Sequence, residues 1–195
     1  AAAVTIPKSL LGAVAHGIAA FMAGEDAKAI ALFQEGLILL KKQERKRVIH
    51  LPSMEGIYQL LALLREGSPA SMAYLQAQIE ASAKPIYIDP YQHCFEILGM
   101  TLGVMQLGTG LNLHHPYFAL HFAQNPWDLL IQSLCLRWLG GEPTEERINR
   151  LKRNQRSATE GGYLWYAREA ALLLNAWGDK TLYGCVNALD TPPLT

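Results

Sequence analysis

Residues 17–40 run GIAAFMAGEDAKAIALFQEGLILL. Gly24 breaks an apolar helical stretch, and beyond it Ala29, Phe33 and Leu37 recur every four residues, which places them on one face of a second helix. So short a connection forces the second helix to fold back antiparallel on the first.

The same punctuation continues along the chain. Ser68-Pro69, Asp89-Pro90 and Asn125-Pro126 each set a capping side chain before a proline at the first helical position, where the missing N–H would be unpaired anyway. Leu51-Pro52 and His115-Pro116 repeat the proline without the good cap, and Gly67, Gly108, Gly140-Gly141 and Gly178 close further periodic stretches. Trp127, Leu130, Ile131, Leu134 and Trp138 step by three and four, as do Tyr163, Tyr166, Ala167, Ala170, Leu174 and Trp177. These signals predict helices over 8–23, 26–44, 53–66, 69–83, 90–107, 116–124, 126–140, 144–157 and 160–177, with Val48 to Leu51 and Pro85 to Asp89 as extended connectors. The fold class is all-α: antiparallel helical hairpins stacked in series over one domain, 1–180, followed by a tail at 181–195.

Composition limits the function classes. Half the residues are hydrophobic and 17 % are charged, so most of the chain has enough apolar surface to fold. Lys+Arg and Asp+Glu both number 17, so no global field steers it to an anionic partner, and local clusters must carry any such role. Cys94, Cys135 and Cys185 are far apart and odd in number, which fits free core thiols in a reducing, cytoplasmic setting. The most apolar run, Cys94 to Leu107, contains Glu96 and falls short of the roughly 20 residues a membrane span needs, so no membrane partner is expected. The start at Ala1-Ala2-Ala3, without Met, reads as the cut edge of a larger protein.

No catalytic signature is legible. A phosphate-binding loop is absent, since Gly178-Asp179-Lys180-Thr181 has neither the upstream glycine nor an adjacent Gly-Lys, and metalloprotease, nucleophile-elbow and Cys-x-x-Cys patterns are missing too. His114, His115 and His121 are the densest potential ligands, but adjacent histidines seldom converge on one ion. Neither a metal nor a cofactor is expected. Gly99 and Gly103 read as close helix packing rather than a dimerisation face. Trp127, Trp138 and Tyr163 would suit a small-molecule pocket, although aromatic residues at helical spacing are more often core.

Two basic clusters stand out. Lys41, Lys42, Arg45, Lys46 and Arg47 end the second helix, where cations oppose its dipole. Arg147, Arg150, Lys152, Arg153 and Arg156 run along a later helix whose first turn holds Glu145 and Glu146, again as the dipole favours. An arginine stripe at three-residue spacing is also what tracking a phosphate backbone requires, so these ten residues are the candidate nucleic-acid contacts.

Two family resemblances add to this reading. Gly17, Gly24, Ala29, Phe33 and Leu37 resemble the tetratricopeptide motif in spacing, which implies that Gly17 lets the two helices approach closely and that the Phe33 ring fills the gap, although the motif's tyrosine and tryptophan positions are absent, Gly36 replaces the usual alanine, and no second clean 34-residue copy follows. The run from Lys46-Arg47-Val48-Ile49-His50-Leu51-Pro52 through Leu64, and the segment Gly161-Gly162-Tyr163-Leu164-Trp165-Tyr166-Ala167-Arg168-Glu169, resemble two segments of bacterial Swi/Snf-type DEAD/DEAH-box helicases. That resemblance implies a helical region N-terminal to an ATP-dependent motor whose catalytic motifs lie outside this chain. The expected function is a noncatalytic interaction or scaffold domain that binds a protein or another region of the same polypeptide. The alternative is a nucleic-acid-binding arm.

Overall fold

The computed structural model describes residues 9–44, 51, 53–82, 94, 97–101, 118–120, 123 and 125–179. Seven helices have both ends defined: α1 Leu10–Met22, α2 Asp26–Glu44, α3 Ser53–Glu66, α4 Pro69–Ser82, α5 Pro126–Trp138, α6 Glu145–Glu160 and α7 Leu164–Ala176. Residues 97–101 are helical as well, and no strand occurs among the described residues. The chain is all-α, as its periodicity predicts. It divides into two compact units, Ala1–Gln92 and His93–Thr195. The division falls just past the prolines at 85 and 90, and each side has enough apolar positions for its own core.

In the first unit α1 starts at Ser9, whose hydroxyl accepts the Gly12 N–H at 3.1 Å. It ends where Gly24, at φ 77°, lets the Glu25 N–H return to the Ala20 carbonyl at 2.9 Å. The α1/α2 hairpin is antiparallel. A Cβ on Gly17 would lie 2.9 Å from Phe33 Cε1, and one on Gly36 would lie 3.2 Å from Val14 Cγ2. Phe33 is fully buried, with Phe21, Ala29, Leu37, Leu60, Leu61 and Leu75 in the same unit's core. Arg65 of α3 ties both helices of the hairpin: it is bonded to Asp26, donates to the Phe21 carbonyl at 2.5 Å and lies 4.1 Å over the Phe21 ring. Ser68 caps α4 by accepting the Ser71 N–H at 3.2 Å, with Pro69 at the first helical position.

In the second unit Asn125 and Asp128 form a reciprocal capping box at the start of α5. Asp128 is also an acceptor for the Cys94 thiol at 3.0 Å, so its buried carboxylate is held from more than one side. Cys135 is buried, and desolvation pushes its thiol up to about 12 despite a hydrogen bond with Thr101. Thr144 caps α6, and Gly161 and Gly162 separate α6 from α7.

Two sequence boundaries are corrected. The helix predicted to end at 157 runs to Glu160, because the Thr159 hydroxyl bonds the Gln155 carbonyl at 2.9 Å and the left-handed residue is Gly162, at φ 77°. Of the helix predicted over 116–124, residues 118–120 and 123 are described, and they form a tight turn in which the Ala123 N–H meets the Leu120 carbonyl at 3.0 Å. The physical reason is on the neighbouring helix: arginines of α6 donate to the carbonyls of Phe118, Leu120 and Ala123, taking acceptors that an α-helix would use internally. The connector 85–89, Cys185, His114, His115, His121, Gly103 and the 181–195 tail lie outside the described residues.

Candidate functional site: an aromatic cleft in the second unit

Pro126 and Trp127 begin α5, held in place by the Asn125 cap. Asn154, Ser157 and Ala158, spaced at i, i+3 and i+4, occupy one face of α6. The Gly161-Gly162 turn then brings the chain back so that a Cβ on Gly161 would lie 3.0 Å from Tyr163 Cδ2. With Tyr166 one turn further along, these residues line a cleft of about 430 Å³. That volume is in the range of small-ligand and side-chain pockets.

The aromatic residues are arranged in two roles. Trp165, nearly inaccessible, stacks behind Trp127 with centroids 5.6 Å apart and planes 16° from parallel. Tyr166 meets Trp127 edge-on at 5.5 Å, and its hydroxyl donates to the Pro126 carbonyl at 2.9 Å while lying 3.5 Å from Asn154 Nδ2. Burial pushes the Tyr166 phenol up, opposed by the hydrogen bond from Asn154 and the positive charge of Arg150. Tyr163 is different: it is 72 % exposed at the mouth of the cleft. The lining thus offers ring faces, an amide and hydroxyls, and among the described residues it contains no carboxylate. This is chemistry suited to holding a partner by apolar contact and neutral hydrogen bonds.

Sequence spacing singled out Trp127 and Tyr163, which the fold does bring together, and Trp138, which does not line the cleft. It missed Pro126, Asn154, Ser157, Ala158 and Tyr166 as partners. The i, i+3 pair Tyr163 and Tyr166 after a double glycine was the available signal.

The ten candidate cations separate by environment. Arg147 is 2 % exposed and donates to Ser133 Oγ at 3.1 Å, Gln132 Oε1 at 3.4 Å and the Phe118 carbonyl. Desolvation, with repulsion from Arg150, lowers its guanidinium to about 10. Arg150 donates to the Leu120 carbonyl at 3.0 Å and the Ala123 carbonyl at 2.6 Å. Lys152 pairs with Asp179. The stripe read as a phosphate-tracking row is therefore corrected at its first position, where Arg147 is a buried anchor facing protein carbonyls. Lys41, Lys42, Arg153 and Arg156 are exposed, and Arg45, Lys46 and Arg47 lie outside the described residues.

A second groove, of about 530 Å³, lies in the first unit and is lined in part by Leu10, Leu11, Val14, Leu40 and Leu51. Among the described residues no cluster of three or more His, Cys, Asp or Glu could hold a metal ion, and no helix is long and apolar enough to cross a membrane. Compared with known proteins, the chain matches no protein-family model, no curated protein and no solved structure.

Proposed function

We propose that the chain is a noncatalytic α-helical interaction and scaffold domain, and that the aromatic cleft of the second unit is its contact surface. The observation that carries this reading is the position of Tyr163, a large ring left in water at the mouth of a cleft whose other rings, Trp127 and Tyr166, are packed and oriented from behind. Rigid aromatic residues beside a partly formed pocket are what protein-binding hot spots are built from. The partner is a protein or another region of the same polypeptide, in the cytoplasm, where the buried thiols Cys94 and Cys135 would stay reduced.

A photo-crosslinking residue at Tyr163 tests this in the native host. A discrete protein adduct is expected there and not from the same group at Arg137, which is exposed near the other end of α5. Absence of an adduct specific to Tyr163 would refute the cleft as the contact surface.

The larger setting we propose is an accessory region of a Swi/Snf-type helicase. The order of the two resembling segments, at 46–64 and 161–169, supports it. Motor motifs in the same open reading frame are the expected finding. A second reading, a nucleic-acid-binding arm, is favoured by the exposure of Lys41, Lys42, Arg153 and Arg156.

A further inference from the structure

The charge around the aromatic cleft and the hydrogen-bonding groups of its lining narrow the class of occupant. Among the described residues no lining side chain is charged, but Arg150 and Arg153 flank the lining positions of α6. Exposed Arg153 precedes Ser157 by one helical turn, and Arg150 precedes Asn154 by one turn, close enough to oppose the upward shift of the Tyr166 phenol. An occupant must therefore present an apolar ring or flat group to Trp127 and Tyr163, acceptors to the Asn154 amide and the Ser157 and Tyr163 hydroxyls, and negative charge beside them.

A helix meets these demands poorly. Its carbonyls are spent on internal hydrogen bonds and are not free to accept from the cleft. An extended, proline-containing segment fits better, since the polyproline conformation makes no internal hydrogen bonds and leaves its carbonyls free to accept. Proline rings pack against aromatic faces, and the stiff chain loses little entropy on docking.

We infer that the cleft binds an extended, proline-containing protein segment with an acidic residue beside the proline, the ring lying against Trp127 and Tyr163 and the carboxylate on Arg153. This inference rests on the cleft being the contact surface proposed above, and it specifies the occupant.

The test uses the full chain and fluorescein-labelled peptides read by anisotropy. One peptide carries two Pro-Pro steps flanked by glutamates, a second has alanine for every proline, and a third has lysine for every glutamate. Saturable binding of the first peptide is expected, with a loss of about tenfold or more in Tyr163→Ala, the effect of removing a hot-spot ring. Arg153→Glu should weaken the glutamate peptide and strengthen the lysine peptide, a reversal that general damage to the protein cannot produce. Both side chains are exposed, so both variants should keep the fold, and helicity checks this.

Equal binding of the alanine peptide, no saturable binding of the first peptide, or no reversal in Arg153→Glu would overturn the inference. So would a single-stranded oligonucleotide that binds in its place with the same dependence on Tyr163 and Arg153. An adduct at Tyr163 in cells together with failure of the proline peptides would remove this occupant and leave the contact surface. Failure of both would remove both.

Discussion

Arg65 grips Asp26 through two nitrogens, Nε to Oδ2 at 2.8 Å and Nη2 to Oδ1 at 2.7 Å, across 39 residues of sequence. Both side chains are largely buried, and the same guanidinium reaches the Phe21 carbonyl, so one residue of α3 fixes the end of α1 and the beginning of α2. Asp26 also sits in the first turn of α2, where a carboxylate is favoured by the helix dipole.

Removing one partner of that pair should be far worse than removing both. Asp26→Ala leaves a buried guanidinium without its carboxylate and should cost about 3 to 5 kcal/mol, while Asp26→Ala with Arg65→Met should recover a good part of the loss. Urea unfolding of the single and double variants measures this. A single-variant loss below about 1 kcal/mol would show that the fork does not hold the hairpin.

The close approach of Gly17 and Phe33 predicts destabilisation from either side. Gly17→Ala drives a methyl to 2.9 Å from a ring that has no exposed surface to move into, and overpacking of this kind costs about 1 to 3 kcal/mol. Phe33→Ala empties the space instead and should cost about 3 to 5 kcal/mol. With Gly17→Ala and Phe33→Leu combined, the smaller side chain relieves the clash, so the two losses should sum to more than the double variant shows. Additive losses would mean the residues are not in contact.

These two contacts differ in how far the sequence revealed them. Gly17 and Phe33 were legible through their tetratricopeptide-like spacing on either side of the stop at Gly24. The Asn125-Pro126 start was equally plain. Arg65 was not, since nothing local to α3 tells that its guanidinium reaches back to α2. Arg147 differs again: its spacing from the other arginines suggests a solvent-facing stripe, while Leu151, Gln155 and Ala158, at four, eight and eleven residues further on, mark its face as the buried one. The aromatic cleft could be seen only in part. Trp127 and Tyr163 are periodic with their own helices, but the burial of Trp165 and exposure of Tyr163 depend on the turn at Gly161-Gly162 and on how α5 packs against α6 and α7.

The buried Cys135 thiol sets an alkaline limit. Its folded value, about 12, lies above the roughly 8.5 of a free thiol, so between these the folded state holds a proton that the unfolded chain releases. Its contribution is therefore complete below about pH 8.5 and is lost as pH rises towards 12, at up to about 1.4 kcal/mol per unit. Going from pH 9 to pH 10, the native chain should lose about 1 kcal/mol more stability than Cys135→Ala does. Equal slopes in the two proteins would contradict the burial. In native buffer Cys135 should also react with thiol reagents only as fast as the protein opens.

The arginine stripe of α6 should separate under mutation into anchors and solvent-facing charges. Arg147→Gln cannot reach the Phe118 carbonyl as the longer guanidinium does, and it gives up the bond to Ser133 as well. Leaving such acceptors unpaired should cost about 2 kcal/mol, part of it offset because a charge no longer has to be buried. Arg153→Gln and Arg156→Gln touch neither set of carbonyls and should change stability by less than about 0.5 kcal/mol. The same variants decide the nucleic-acid reading. If the exposed cations contact phosphates, affinity for a labelled oligonucleotide should fall steeply with salt, and each contact removed from Lys41, Lys42, Arg153 or Arg156 should lower the slope of log affinity against log salt by about 1. Anisotropy at low and moderate salt measures that slope. Arg147→Gln, folded but less stable, should leave it unchanged, because its guanidinium faces protein carbonyls. No binding at low salt would remove the nucleic-acid arm, and a slope that depends on Arg147 alone would contradict its role as a buried anchor.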